Sequence, residues 1–167
     1  MTAIGIIGAT GAVGQEMYSV LKTRKFPYTK ILLFASSSSV GNTNSDGITF
    51  LPFSLDVVRE LDIVFLAVSG TFSLEFAQAI SENGGPIVID NSSAWRMDPQ
   101  VPLIIPEINA HMIGKARLIA NPNCTTAIAA MALWPLHCTY GIKKIIMSTY
   151  QAASGAGAKV SCKKIKI

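Results

Sequence analysis

Residues 8–14, GATGAVG, decide the fold. They directly follow an apolar run at residues 3–7 and precede residues 15–22, whose apolar side chains recur at helical spacing. In such a strand–turn–helix unit, Gly8 permits a tight turn, Gly11 lets a ligand approach the backbone, and Gly14 lets the helix pack on the strand. N–H groups of the first helical turn attract phosphate. The stretch predicts a dinucleotide-binding turn, although a tight turn that binds nothing has the same pattern.

Apolar runs alternate with helical stretches along the rest of the chain. Strands are predicted at residues 3–7, 30–35, 63–68, 86–90, 118–120 and 142–150, and helices or helical turns at 15–22, 57–61, 72–80 and 125–136. Pro135 is expected to end or kink the last helix. The alternation is typical of βαβ units, so the predicted fold class is α/β, with a doubly wound, mostly parallel Rossmann-type sheet.

The composition fits one domain with a substantial core, because half of the 167 residues are hydrophobic and 14% are charged. The sequence contains no run of about 18 uninterrupted apolar residues, so no membrane-spanning helix is predicted. The N-terminus lacks the basic region of a signal peptide. Cys124, Cys138 and Cys162 are odd in number and show no CxxC spacing. They favour a reducing, cytoplasmic location over a disulfide framework, and no metal site is predicted.

The net charge of +4 is concentrated at one end, where Lys159, Lys163, Lys164 and Lys166 fall within the last nine residues. Without these four, the remaining ten basic residues balance ten acidic ones. There is no basic stripe with interleaved aromatic residues. Neither nucleic acid nor a membrane is therefore predicted as a partner.

The stretch NPNCTT, residues 121–126, contains the candidate nucleophile. Cys124 falls at the predicted start of a helix, where the helix dipole favours a thiolate. Thr125 or Thr126 can cap the first turn. A thiolate there can attack a carbonyl carbon, and a nicotinamide can then exchange a hydride with the adduct. The alternative is a small buried filler residue.

Three other reactive side chains are expected to be structural. Cys138 lies near the predicted helix end and is interpreted as packing. His111 and His137 are isolated in the sequence and are expected to be satisfied or surface histidines.

Polar side chains suited to a ligand follow three predicted strands. DNSSAWRMDP, residues 90–99, offers hydroxyls and Arg96, whose guanidinium can hold a phosphate bidentately. YQAASGAG, residues 150–157, offers the amide of Gln151. ASSSS, residues 35–39, lacks the acidic residue that would bind a ribose 2′-hydroxyl, so NADP is favoured over NAD. The alternatives are that Arg96 is an ordinary surface residue and that residues 35–39 form a solvated polar loop.

Together, GATGAVG, DNSSAWRMDPQVPLIIPEIN, NPNCTT and STYQAASGAG resemble the aspartate-semialdehyde dehydrogenases in order and spacing. The resemblance covers about residues 3–158. It implies NADPH-dependent reductive dephosphorylation of aspartyl 4-phosphate to aspartate 4-semialdehyde through a cysteine thioester. This step belongs to lysine, methionine and threonine biosynthesis.

The resemblance also implies individual roles. By position, Cys124 matches the nucleophile, Arg96 the arginine that grips phosphate, Gln151 a substrate-orienting amide and Asn123 a residue of the substrate pocket. The implied cofactor-binding residues are Gly8, Thr10, Gly11, Ala12, Val13 and Gly14 at the pyrophosphate, Ser38 and Ser39 at the 2′-phosphate, Ser69, Gly70 and Thr71 along the cofactor, and Ser154 and Gly155 near the nicotinamide.

Two departures from the family pattern matter. Ser38 stands where family members often carry an arginine, which weakens the expected grip on a 2′-phosphate. The chain is about half as long as the family, so the acid/base histidine, the residues that hold the substrate amine and carboxylate, and most of the dimer interface are expected outside it. The chain alone is expected to be nearly inactive, with small molecules as its partners, while full-length members are expected to be dimers or tetramers.

The implied organisation has three parts. A dinucleotide-binding domain spans residues 1–123, the start of a second, α+β catalytic and dimerisation domain spans 124–158, and an atypical basic tail spans 159–167. Two alternative functions stay open: a relative of N-acetyl-γ-glutamyl-phosphate reductase, which usually has glycine before its cysteine, and a non-catalytic dinucleotide-binding module.

Overall fold

A six-stranded sheet forms the centre of the computed structural model, which describes residues 2–150. The strands are β1 (Thr2–Ile7), β2 (Tyr28–Ala35), β3 (Phe50–Pro52), β4 (Ile63–Leu66), β5 (Ile87–Asp90) and β6 (Leu118–Ala120). The helices are α1 (Ala12–Thr23), α2 (Leu55–Arg59), α3 (Gly70–Ser81), α4 (Pro106–Asn109) and α5 (Cys124–Tyr140). A 3₁₀ turn over Ala110–Ile113 follows α4.

All neighbouring strands run parallel, and their order across the sheet is β3-β2-β1-β4-β5-β6. This is the strand order of doubly wound dinucleotide-binding folds, so the predicted fold class is confirmed. The order reverses between β1 and β4. In such sheets the crevice at the carboxyl ends of these two strands is the usual ligand site.

Different helices cover the two faces of the sheet. Crossovers between parallel strands are right-handed, so connections that step towards β2 and connections that step towards β6 lie on opposite faces. Leu21 of α1 packs with Ile4 and Leu33 on one face. Residues of α2 and α3 pack with Val64 and Val88 on the other.

The α1 face is thinly covered over β4 and β5. Val64 and Val88 face α3 and are fully buried, whereas their neighbours Ile63 and Phe65 are partly exposed and Ile87 is 38% exposed. Parallel strands are normally buried on both faces. Among the helices of residues 2–150, only α1 contributes to the core on this face.

β3 was not predicted from the sequence. This strand has three residues, ends in Pro52 and pairs only with β2 at the edge of the sheet. A short edge strand that contains proline shows no usable alternation of apolar and polar residues.

The predicted strand at residues 142–150 is wrong. These residues form neither helix nor strand, and all except Ile142 are exposed. A strand needs a neighbouring backbone to bond with, and the sheet formed by the described residues ends at β6.

The predicted end of the last helix is also wrong, because α5 continues through Pro135 to Tyr140. Pro135 lacks the N–H that would donate to the Met131 carbonyl, and α5 continues without that bond. In the next turn, Thr139 Oγ1 donates to the Pro135 carbonyl at 2.9 Å. The helix ends at Gly141, whose φ of 68° only glycine adopts readily.

The apolar composition of α5 suggested a buried helix, yet none of its residues is buried. No further layer of the described chain lies over its outer side. Cys138 is consequently exposed, and its interpretation as a packing residue is wrong. Within residues 2–150, the helices fall short of the length and apolarity needed to cross a bilayer.

Candidate active site

The glycine loop joins the carboxyl end of β1 to α1, next to the carboxyl end of β4. Gly8 has a φ of 84°, and a Cβ on it would lie 2.2 Å from the Ala67 carbonyl oxygen. A Cβ on Gly14 would lie 2.3 Å from the Gly8 carbonyl oxygen. Both positions therefore require glycine, one for the turn and one for the close approach of α1 to the strand.

The start of α1 is open to an anion. Gly11 precedes the helix with no side-chain cap, and no acidic residue lies in the first turn. The first N–H with a partner in the helix is that of Gln15, which donates to the Gly11 carbonyl at 2.9 Å. The N–H groups of Ala12, Val13 and Gly14 thus lack helical partners, as at any helix start.

A cleft of about 560 Å³ lies beside this loop, between the ends of β1, β2 and β4. Gly8, Thr10, Gly11, Ser36, Ser37, Val68 and Ser69 contribute to its lining, together with the rings of Phe53 and Phe72. The two rings meet edge to face with centroids 5.0 Å apart. The cleft combines an anion-attracting helix start, hydroxyls and an aromatic wall.

The predicted cofactor residues divide around this cleft. Thr10, Gly11 and Ser69 line it, whereas Ala12 and Val13 lie at the start of α1 outside its lining. Ser69 also caps α3, with its Oγ 3.3 Å from the Phe72 N–H, so Gly70 and Thr71 begin that helix.

The serine turn, residues 36–39, borders this cleft. Ser36 and Ser37 line the cleft, while Ser38 lies 3.0 Å from Ser36, Oγ to Oγ, and Ser39 donates its N–H to the Ser36 carbonyl at 2.9 Å. Ser38 and Ser39 thus take part in the hydrogen bonds of the turn. Phe53, which directly follows β3, and Phe72, in the first turn of α3, were not predicted from the sequence.

A second group of polar residues follows β5, on the same edge of the sheet. Asp90 is fully buried, and its Oδ2 accepts hydrogen bonds from Ser73 Oγ and Ser92 Oγ, each at 2.7 Å. Its Oδ1 accepts the Ser92 N–H at 2.9 Å. Trp95 Nε1 donates to Ser73 Oγ at 3.0 Å. This network fixes the loop that carries Arg96.

Arg96 joins the ends of β5 and β6. Its Nε donates to the Asn121 carbonyl at 2.9 Å and its Nη2 to the Asn91 carbonyl at 3.0 Å. The Asn121 Nδ2 donates to Asn91 Oδ1 at 2.7 Å, which ties the two strand ends together. Among residues 2–150, no hydrogen-bond partner faces the Nη1 of Arg96.

Cys124 is the first residue of α5, as the sequence predicted, and its side chain is exposed. The cap is Asn123 rather than a threonine: its Oδ1 accepts the Thr125 N–H at 3.0 Å and Thr125 Oγ1 at 2.6 Å. The Cys124 Sγ lies 3.9 Å from the same oxygen. Asn123 thereby fixes the helix start around the thiol.

The two histidines lie apart from this edge. His111 is exposed in the 3₁₀ turn that leads towards the amino end of β6. His137 stacks on Trp134 with centroids 5.9 Å apart. Thirteen residues of helix separate it from Cys124, about 20 Å at the helical rise. The predictions for Gln151, Ser154, Gly155, Cys162 and the basic tail lie outside the described residues.

Comparisons with known proteins agree with this arrangement. The family described as semialdehyde dehydrogenase, NAD binding domain, matches residues 3–116. An aspartate-semialdehyde dehydrogenase of Streptomyces akiyoshiensis is 46% identical over 157 residues, covering 92% of this chain and 46% of the relative. One from Aquifex aeolicus is 42% identical over 163 residues, covering 93% and 48%.

A solved structure leads to the same family. Aspartate semialdehyde dehydrogenase II of Vibrio cholerae, crystallised in complex with ASA, superposes with a TM-score of 0.86 at 35% identity, covering 95% of this chain and 49% of that one. The chain thus spans about half the length of the relatives it matches. On these matches of sequence and fold, the chain belongs to the aspartate-semialdehyde dehydrogenase family.

Proposed function

We propose that this chain forms the part of an aspartate-semialdehyde dehydrogenase that binds the cofactor and carries the nucleophile. The observation that carries the proposal is that the glycine loop and the cysteine-bearing helix start share one edge of a parallel sheet. They follow β1 and β6, which are three strand spacings apart, about 14 Å. The names of the relatives above support an aspartate semialdehyde as one substrate, and the family resemblance implies the acyl phosphate of aspartate as the other.

The residues around the cleft suit a dinucleotide. The free N–H groups at the start of α1 would hold the pyrophosphate, and the absence of a side chain on Gly11 leaves room for it. Phe53 and Phe72 offer a wall for an adenine ring.

We favour NADP over NAD. Ser36 and Ser37 bring hydroxyls to the cleft, and no carboxylate is among its lining residues. Hydroxyls can donate to a 2′-phosphate, whereas a carboxylate would repel it. Ser38 and Ser39 support this site through the geometry of the serine turn.

Cys124 is the proposed nucleophile. Its thiolate attacks the carbonyl carbon of the acyl phosphate, the carbon–oxygen bond to phosphate breaks, and phosphate leaves with the electron pair, so that a thioester remains on Sγ. A reduced nicotinamide, when bound, supplies the hydride that converts this thioester into the aldehyde and frees the thiolate. Asn123 holds the start of α5, and with it the residue that carries the thiol, in place.

Arg96 is the proposed phosphate ligand. Its Nε and Nη2 are fixed on two backbone carbonyls, which leaves Nη1 for the leaving phosphate. Asn121, whose carbonyl Arg96 contacts, precedes Cys124 by only three residues. We propose, on the family resemblance, that Gln151 orients the substrate and that Ser154 and Gly155 contact the nicotinamide.

Turnover by the 167-residue chain should be slow. Neither His111 nor His137 lies at the active edge, and general acid–base assistance is worth about 10²- to 10⁴-fold in rate. The chain is therefore expected to bind cofactor and to accept an acyl group on Cys124 without efficient reduction.

Titration of the purified chain with NADPH and NADH, followed by fluorescence, tests the proposal. Gly11→Ala fits the fold, because its Cβ would approach only the Gly8 carbonyl oxygen, at 3.4 Å. Its methyl group should weaken NADPH binding about tenfold, equivalent to about 1.4 kcal/mol. Ser19→Ala, on the exposed side of α1, is the control. A wild-type chain that binds neither nucleotide would contradict the proposal.

A further inference from the structure

The loop that follows the serine turn is fastened to α1 by a charged group. We call residues 41–50 the hairpin loop; its backbone folds back on itself between Gly41 and Phe50. Near its tip, both carboxylate oxygens of Asp46 accept hydrogen bonds from Lys22 Nζ, at 2.6 and 2.7 Å. Tyr18 Oη donates to Asp46 Oδ2 at 2.6 Å. One carboxylate of the loop thus holds two side chains of α1.

Each partner keeps the protonation state that this contact needs at neutral pH. The hydrogen bonds from Lys22 and then Tyr18 hold the pKa of Asp46 below its ordinary value. Burial, followed by the hydrogen bond to Asp46, raises the pKa of Tyr18 above its ordinary value. Asp46 is therefore ionised and Tyr18 protonated.

Hydrogen bonds within the hairpin loop fix its backbone, so that the contact between Asp46 and α1 also restrains the rest of the loop. Asn44 Oδ1 accepts the N–H groups of Asp46 and Ile48 at 3.0 and 2.9 Å. The Asn44 N–H donates to the Ile48 carbonyl at 2.9 Å and the Gly47 N–H to the Asn44 carbonyl at 3.1 Å. An Asx turn of this kind fixes the backbone locally.

A short run of hydrogen bonds then leads to the serine turn. The Gly41 N–H donates to the Phe50 carbonyl at 3.0 Å, which closes the base of the hairpin loop. The Asn42 N–H donates to the Ser39 carbonyl at 3.2 Å, and the Ser39 N–H to the Ser36 carbonyl at 2.9 Å. The serine turn is thereby connected to α1 at its far end as well as to β2.

We propose that Asp46, Lys22 and Tyr18 form a latch that positions the serine turn for a 2′-phosphate, which makes Asp46 a positioning residue for the choice of NADP over NAD. The inference rests on the proposed function. The start of α1 would hold the pyrophosphate and the serine turn the 2′-phosphate, and the latch joins the two elements. It thus sets the distance between the two phosphate sites.

The latch acts on position more than on stability. The Lys22 and Asp46 side chains are 58% and 31% exposed, and exposed ion pairs contribute little to the free energy of unfolding. A cofactor without a 2′-phosphate does not engage the serine turn in the same way. Loosening the turn should therefore weaken NADP binding and leave NAD binding nearly unchanged.

The experiment compares NADP⁺ and NAD⁺ affinities of the full chain with those of Asp46→Asn, Lys22→Met and the double variant. Each single variant should bind NADP⁺ three- to tenfold more weakly and NAD⁺ within twofold of wild type. The double variant should bind NADP⁺ no more weakly than the weaker of the two single variants, because both changes break the same contact. Lys30→Met removes an equal charge from an exposed lysine of β2 and is the control.

A second measurement is independent of cofactor. Amide hydrogen exchange should become faster in residues 36–42 of Asp46→Asn, while the exchange of α1 stays unchanged. If exchange in residues 36–42 is unchanged in Asp46→Asn, the latch is overturned, whatever the NADP⁺ and NAD⁺ affinities are. Equal weakening of NADP⁺ and NAD⁺, or tighter NADP⁺ binding by Asp46→Asn, overturns it as well. A wild-type chain that binds neither nucleotide overturns the proposed function, and the specificity role of Asp46 with it.

Discussion

At the scale of single residues, two cysteines of one helix offer an internal comparison. Cys124 and Cys138 are both exposed on α5, one at its first residue and the other two residues before its last. Exposure therefore does not distinguish them. Their positions in the field of the helix do, because the amino end favours an anion and the carboxyl end disfavours one.

We predict that iodoacetamide alkylates Cys124 about two- to fivefold faster than Cys138 at neutral pH. This range corresponds to the stabilisation of an anion by a helix start, about 0.3–1 kcal/mol. Mass spectrometry of timed digests measures both rates in one sample. Equal rates would remove the support for a poised nucleophile and would favour a non-catalytic nucleotide-binding module.

The sequence was informative about some residues and silent about others. Cys124 at a helix start followed from its place just before a long apolar run, and the structure confirms this position. The cap itself was assigned to the wrong side chain, because Asn123 and Thr125 can both accept an N–H. Phe53 and Phe72 were missed because only the fold brings their rings to the same cleft.

At the scale of elements, the strand–turn–helix units were predictable because each depends on local sequence. β1, β4 and β5 are short apolar runs bounded by turn residues, and their pairing follows from the topology. β3 and residues 142–150 were not predictable, because a strand at an edge depends on what lies beside it. The C-terminal end of α5 was misjudged because proline was weighed as a stop signal and glycine was not.

The end of α5 gives a test of these two signals. Pro135→Ala restores a backbone hydrogen bond within the helix and should raise the free energy of unfolding by about 1–3 kcal/mol. Gly141→Ala places a Cβ on a residue in the left-handed region, at a φ of 68°. This change should lower the free energy of unfolding by about 1 kcal/mol. Urea unfolding followed by circular dichroism measures both changes. A destabilising Pro135→Ala would mean that the proline is needed for the shape of α5.

At the scale of the whole molecule, a large apolar surface is open to solvent on α5 and the segment after it. Ile128 is 72% exposed, Tyr140 80% and Ile146 87%. Contiguous apolar surfaces of this kind favour association.

We therefore predict that the purified chain forms dimers or larger species as its concentration rises, measured by light scattering. Ile128→Glu should shift the distribution towards monomer by placing a charge on α5. Leu74→Glu, at a site on α3 that is 58% exposed, should change it little and is the control. A monodisperse wild-type monomer over a hundredfold range of concentration would refute the prediction.

The position of β1 determines the order in which the fold can be completed during synthesis. β1 is the first strand of the chain, yet it lies inside the sheet, with Ile4 paired to Ile31 on one side and to Ile63 on the other. A nascent chain can form the β1–α1–β2 unit early, from neighbouring segments. One edge of β1 stays unpaired until β4 has emerged from the ribosome, and unpaired apolar strands are sites of misassembly. β1 therefore precedes β2 in the chain but is enclosed after it, because β2 needs only β3 whereas β1 needs β4.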